Sequence, residues 1–176
     1  AVWERCEAWL AGAAPRLSLP GGLQLVRAGR RLVMQRGVTE AAPAHAFDVP
    51  GPGGWSAPGW GVQATATRTT GFTRQREGRP GPGAFVAFVD ETRRGNEPLQ
   101  VRTRRPGDRL RPFGLKGSVK VQDVLVDLKV PAGLRGRLPV VTCGGEIVWI
   151  PGYRVARDWA VPGPAAPSLR LDLSWS

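Results

Sequence analysis

Glycine and proline interrupt this chain so often that only short elements can form between them. The 176 residues include 24 glycines and 17 prolines, residues that set turns or end regular runs. Leu17 and Leu19 alternate with polar neighbours, and Pro20-Gly21-Gly22 then turns the chain. Leu23, Leu25 and Arg27 take one side of the next run, Ala28-Gly29-Arg30 turns again, and Leu32-Val33-Met34 returns. That sequence of short alternating runs is the pattern of a β-meander. Residues 40–58 are dominated by Ala, Pro and Gly and read as loop, with a short strand near Ala46-Phe47-Asp48-Val49. Gly61 to Thr67 alternates and is a strand, Glu77 to Gly83 is a turn-rich break, and Ala84 to Val89 is an apolar run typical of a buried strand.

The polar segment Thr92 to Pro98 marks a change of texture. After it, Leu99, Val101 and Thr103 face one way and Gln100, Arg102 and Arg104 the other, until Pro106-Gly107-Asp108 breaks the strand. Ser118 is an N-cap candidate for a helix to about Leu128, whose Val121, Val124, Leu125 and Leu128 form one apolar stripe. Pro131 ends it. Pro139 to Thr142 and Glu146 to Ile150 flank Gly144-Gly145 as a hairpin, with Trp149 and Tyr153 packing it. Pro162 to Pro167 reads as a linker, and Leu169, Leu171 and Leu173 alternate as a last strand. At the other end, Trp3, Cys6 and Leu10 share a helical face that Gly12 and Pro15 close. With no initiator methionine, this looks like a connector inside a longer protein. The expectation is an α+β chain: a connector-helix end over 1–15, a small antiparallel β-rich domain over 16–97, and a small α+β domain over 98–176. The last carries one amphipathic helix and a β-hairpin.

Charge narrows the function. Lys and Arg number 25 against 14 Asp and Glu, a net charge of +11, which favours a polyanionic partner. Only Lys116, Lys120 and Lys129 are lysines. Genomic base bias explains arginine in place of lysine but not the surplus of bases over acids. No apolar run nears the length of about 18 residues that a membrane span needs, and no signal peptide is visible. Cys6 and Cys143 lie far apart and near no histidine, so they read as free thiols of a cytoplasmic protein and not as zinc ligands. The single histidine, His45, sits in a Pro/Ala loop and supports no nucleophile–base site. Gly51-Pro52-Gly53-Gly54 is too proline-rich for a phosphate loop. No catalytic residue and no metal site is expected within the chain.

The strongest feature is Leu99 to Lys120, where Arg102, Arg104, Arg105, Arg109, Arg111, Lys116 and Lys120 face one acid, Asp108. Arg102 and Arg104 share a strand face, and Arg109, Arg111 and Lys116 ride on a loop punctuated by Gly107, Pro112, Gly114 and Gly117. Lys120 opens the helix. Planar guanidinium groups and main-chain amides so clustered suit the oxygens of an RNA backbone. Lys129, Arg135 and Arg137 are weaker candidates for the same role. Asp108 is expected to brace Arg105 or Arg109 as a turn former, and Phe113 to plug the loop onto the core, with stacking on an exposed base as the other use of its ring. Asp123 and Asp127, four apart on the helix, read as a solvated face.

The residues also resemble a family. Val101-Arg102-Thr103-Arg104-Arg105-Pro106-Gly107-Asp108-Arg109 followed by Arg111-Pro112-Phe113-Gly114 is similar to the R-x-R-R-P-G-D-R…R-P-x-G block of the C-terminal domain of tRNA(Ile)-lysidine synthetases. The similarity continues through Lys120-Val121-Gln122-Asp123, Asp127 to Pro131, Arg135 to Pro139 and Gly145 to Gly152, while upstream only Leu19-Pro20-Gly21-Gly22-Leu23 matches. The resemblance implies an ATP-dependent ligase of tRNA processing that adenylates C2 of the wobble cytidine of tRNA(Ile) and joins lysine there. It places ATP, Mg and lysine in an upstream domain with an S-G-G-x-D-S loop, a motif missing from this chain. The C-terminal portion would grip the tRNA body and acceptor stem. Two other classes remain: a non-catalytic basic RNA-binding module, and a protein-interaction domain whose charge is only compositional.

Overall fold

The computed structural model describes residues 16–19, 23–28, 31–36, 44–73, 81–113 and 117–175. The expected connector helix over 1–15, Cys6, the turns at Pro20-Gly21-Gly22 and Gly29-Arg30, and Lys116 lie outside the described residues.

The meander forms as its alternation implies. Strands β1 (Arg16–Leu19), β2 (Leu23–Ala28) and β3 (Arg31–Arg36) pair antiparallel in that order. Leu17 faces Leu25, and Leu25 faces Met34, across the sheet. Leu17 is buried, while Leu32 and Met34 on the outer strand are exposed.

The rest is built on two four-stranded antiparallel sheets. One runs β12-β11-β8-β4, from β4 (Ala46–Val49), β8 (Leu99–Thr103), β11 (Pro139–Cys143) and β12 (Glu146–Trp149). The other runs β5-β6-β13-β7, from β5 (Gly53–Ala57), β6 (Val62–Thr70), β7 (Gly83–Asp90) and β13 (Pro167–Trp175). A single cluster of buried side chains spans both, including Val49, Val101, Val140 and Trp149 from the first and Val62, Ala87, Leu171 and Leu173 from the second. Fully burying each such aliphatic side chain is worth about 1.5–3 kcal/mol, so the alternation in β6 and β13 fixes which face turns inward. β5 is the strand that composition hid: Gly53 and Gly54 open it, and it borders the sheet, paired only with β6.

The division expected near residue 97 does not separate the sheets. β13 lies between β6 and β7, pairing Leu173 with Ala64 on one side and with Phe85 on the other. β4 in turn pairs with β8, Phe47 opposite Val101. The segment before β13 is tied down and is not a free linker. Gly71 donates its N–H to the Ala166 carbonyl at 2.8 Å, and Ser168 Oγ donates to the Gly71 carbonyl at 2.6 Å. Gly71 sits at φ +67°, where a Cβ would collide with the Pro164 carbonyl, so only glycine closes this corner.

The polar stretch at 91–98 is also ordered. Helix α1 (Glu91–Arg94) is capped by Asp90, whose Oδ1 accepts from the Thr92 N–H at 2.9 Å. Arg94 is buried and donates to the Pro50 and Glu97 carbonyls, both at 3.0 Å. A two-stranded ribbon, β9 (Arg109–Leu110) with β10 (Val119–Lys120), leads into α2 (Val121–Asp127), and α3 (Ala132–Arg135) follows. Val121, Val124 and Leu125 are buried and Leu128 packs against the core, as the apolar stripe requires.

Candidate nucleic-acid interface

The basic block is organised by one turn. In Arg105-Pro106-Gly107-Asp108, the Asp108 N–H reaches the Arg105 carbonyl at 3.3 Å and Gly107 takes φ +89°. Proline second and a left-handed glycine third make a type II turn. The Asp108 carboxylate then folds back over the strand. Its Oδ2 accepts from the Arg105 N–H at 2.7 Å and from Arg102 Nη1 at 2.9 Å, and its Oδ1 accepts from Arg102 Nη2 at 2.7 Å. Its carbonyl accepts from the Val121 N–H at 2.9 Å. One residue thereby joins the end of β8, the turn and the start of α2.

This corrects two expectations. Arg102 is 5% exposed, and both of its terminal nitrogens are held by Asp108. It sits in an inner strand of the sheet, opposite Ala46 and Val140, and has no surface to offer a phosphate. Asp108 does shape the turn, but the side chain it braces is Arg102, not Arg105 or Arg109. Local alternation put Arg102 beside Arg104 on an outer face; the strand instead ends at Thr103, and Arg104 leaves it.

On the ribbon, Arg109 and Lys120 stand directly opposite each other. Arg109 Nε donates to Ser118 Oγ and Nη2 to the Ser118 carbonyl, each at 2.7 Å. Ser118 is therefore not the helix cap; Lys120 occupies that position, with no side-chain capping bond. Arg111 pairs with Asp158 at 3.4 Å, and its carbonyl accepts from the Arg157 N–H at 2.7 Å. This brings exposed Arg157 to the site, a residue that a reading confined to 99–137 omits. The signal for it is Arg154-Val155-Ala156-Arg157, two arginines three apart just after the closing hairpin. Phe113 does not plug the loop; it is 51% exposed at the rim.

A second basic group lies where β8 leaves its sheet. Arg104 Nε donates to the Arg135 carbonyl at 3.1 Å, Arg135 Nε to the Val130 carbonyl at 2.8 Å, and Trp60 Nε1 to the Arg137 carbonyl at 3.1 Å. Lys129 follows α2 with φ +58°. Its N–H bonds the Val126 carbonyl and that of Val130 the Leu125 carbonyl, both at 2.9 Å. This is the Schellman closure, in which glycine usually takes the left-handed place. Among the described residues, the side chains of Arg105, Lys120, Lys129 and Arg137 meet no hydrogen-bond or ion-pair partner, and neither does that of Arg157. These are charges free to meet an outside anion.

Two clefts flank the ribbon, and Arg109 lines both. One, of about 450 Å³, opens between the ribbon and α2. The other, of about 360 Å³, is bordered by Arg111, Glu146, Asp158 and Trp159. Other chemistry finds little support. His45 stacks on Trp60 at 5.3 Å between ring centres. Cys143 is buried, and that burial pushes its thiol pKa up, away from the nucleophilic thiolate. Among the described residues no three or more His, Cys, Asp or Glu gather to hold a metal, and no helix is long and apolar enough to cross a membrane.

Comparison with known proteins places this geometry. Residues 99–175 match the family model described as the TilS substrate C-terminal domain. A tRNA(Ile)-lysidine synthase of Symbiobacterium thermophilum is 59% identical over 61 residues, 35% of this chain and 12% of that protein. The tRNA(Ile)-lysidine synthase of Bacillus licheniformis is 32% identical over 146 residues, 81% of this chain and 29% of that protein. A crystal structure of a TilS C-terminal domain superposes with a TM-score of 0.60 at 28% identity, covering 76% of this chain and 98% of the other. The chain thus spans less than a third of the length of these two relatives.

Proposed function

Because the chain belongs to the tRNA(Ile)-lysidine synthase family and carries its C-terminal substrate domain, we propose that it is the tRNA-holding part of an ATP-dependent tRNA(Ile)-lysidine ligase. The ligase adenylates the wobble cytidine and joins lysine to it; ATP, Mg and lysine belong to the part of the ligase upstream of this domain. The carrying observation is the set of uncommitted cations, Arg105, Lys120, Lys129 and Arg137, spread around a turn locked by Arg102 and Asp108.

The physics follows from A-form RNA. Its deep, narrow major groove hides the base edges, so a stem is held through phosphates, 2′-hydroxyls and shape. Arg104 and Arg109 have Nε held by protein acceptors and Arg111 has Nη1 held by Asp158, which fixes where their remaining N–H donors point. The unpaired cations supply charge that no internal acid cancels. Arg157 joins this set through Arg111. Such contacts position a duplex and carry little sequence information, so the choice of tRNA(Ile) among tRNAs rests on more than this surface.

The test is a titration of the chain with tRNA, without ATP, over a salt series. Binding should weaken linearly in log–log form as salt rises, and Arg104→Ala and Arg109→Ala should weaken binding to many tRNAs alike. Absence of binding at low salt would refute the proposal.

A further inference from the structure

The cleft of about 450 Å³ between the ribbon and α2 carries both signs of charge. Arg109 and Lys120 border it from the ribbon, and Asp123 and Asp127 border it from one side of α2, with Val124 and Leu128 on the adjacent row. Val124 is 7% exposed and Leu128 packs partly on the core, so the floor is apolar. The half-buried Tyr153 adds an aromatic wall.

Two acids are costly on a surface meant only to hold phosphates. Asp123 has a local reason to be there, since it lies in the first turn of α2, where a carboxylate meets the positive end of the helix. Asp127 has none. It is the last residue of α2, at the negative end of the dipole, exposed, with no hydrogen-bond or ion-pair partner among the described residues. A carboxylate accepts hydrogen bonds only. Facing an unpaired base, its favourable partners are the exocyclic amines of cytosine, adenine and guanine; uracil offers only an imino N–H set between two carbonyl oxygens that repel a carboxylate, and the 2′-hydroxyl, which every nucleotide shares, carries no preference. In a stem the cytosine and adenine amines lie in the deep major groove, out of reach, and only guanine's is open in the shallow minor groove, so a cytosine or adenine meets this acid only when its nucleotide is unpaired.

We propose that this cleft receives one unpaired, amine-bearing nucleotide of the RNA, with its phosphate on Lys120 and Arg109, its base on the Val124–Leu128 floor, and its amine donating to Asp127. The proposal rests on the RNA-binding reading above and deepens it: the cationic rim supplies affinity, and the acid supplies base selectivity.

The sign of one substitution separates this from simple electrostatics. Removing an acid from a surface that binds a polyanion tightens binding to every RNA alike. Removing an acid that accepts from a base weakens binding to amine-bearing RNA. Single-stranded pentamers of cytidine and of uridine are the probes, titrated into the chain by fluorescence anisotropy at fixed salt. The wild-type chain should prefer the cytidine pentamer severalfold. Asp127→Ala should weaken that pentamer severalfold, leave the uridine pentamer unchanged or tighter, and so abolish the preference. Asp123→Ala serves as the second variant, and both residues are exposed, so the core is undisturbed. No preference in the wild type, no binding of either pentamer, or uniform tightening in Asp127→Ala would overturn the proposal. Salt-dependent tRNA binding that survives any of those results would leave the RNA-holding role standing; loss of tRNA binding altogether would remove both.

Discussion

The two four-stranded sheets treat their arginines in opposite ways. On β5-β6-β13-β7, Arg68 meets Glu91 at 2.6 Å and Arg170 meets Asp172 at 2.7 Å. These arginines are exposed and still matched, each by an acid nearby. At the end of β12-β11-β8-β4, one acid, Asp108, is consumed by the buried Arg102, with side chains only 11% and 6% exposed. Around that pair, Arg105, Lys120, Lys129 and Arg137 are left unmatched. The +11 net charge is therefore not spread evenly in effect. A count of basic residues ranks Arg102 with Arg105, whereas the structure makes the first a fixture of the fold and the second available to a ligand.

The contrast is open to test. The largest effect should come from Arg102→Ala or Asp108→Ala. Either leaves a buried charge uncompensated and should cost about 3–5 kcal/mol of stability, measured by denaturant unfolding. Arg105→Ala, three residues on and exposed, should stay within about 0.5 kcal/mol of the parent. Equal losses in both would erase the distinction between fixed and available arginines. Next, the pair Arg105→Ala with Lys120→Ala should flatten the slope of log tRNA affinity against log salt by up to about 0.9 for each phosphate no longer neutralised. Arg68→Ala with Arg170→Ala should leave that slope where it was, because those charges are already matched. An equal change in the two double variants would mean that net charge alone governs binding. The smallest effect is at Lys129, whose left-handed backbone costs a non-glycine residue about 1 kcal/mol. Lys129→Gly should raise stability by about that amount while lowering tRNA affinity a few-fold. Unchanged affinity would place Lys129 outside the interface.

Local sequence determined a good deal here. The alternation of Leu169, Leu171 and Leu173 makes a strand with one buried face, and the stripe Val121, Val124, Leu125 makes a helix that buries it. Pro106-Gly107 encodes its turn, since proline presets one dihedral angle and glycine alone accepts the next without strain. The meander, the closing hairpin and the crowding of bases into 99–120 were all legible for the same reason: each depends on neighbours a few residues apart. The rest needed partners distant in the chain. Nothing in Leu169 to Leu173 says that the strand enters between β6 and β7, because pairing is chosen by which faces must be buried together and by the tie between Gly71 and the turn before β13. Alternation could not show that Arg102 turns inward, because its fate is decided by Asp108 reaching back from the turn. Nor could it show that Arg157 comes to lie beside Arg111, a meeting made by one backbone bond between distant segments. Sequence located the charge; tertiary packing decided which charges the fold consumes and which it leaves unmatched.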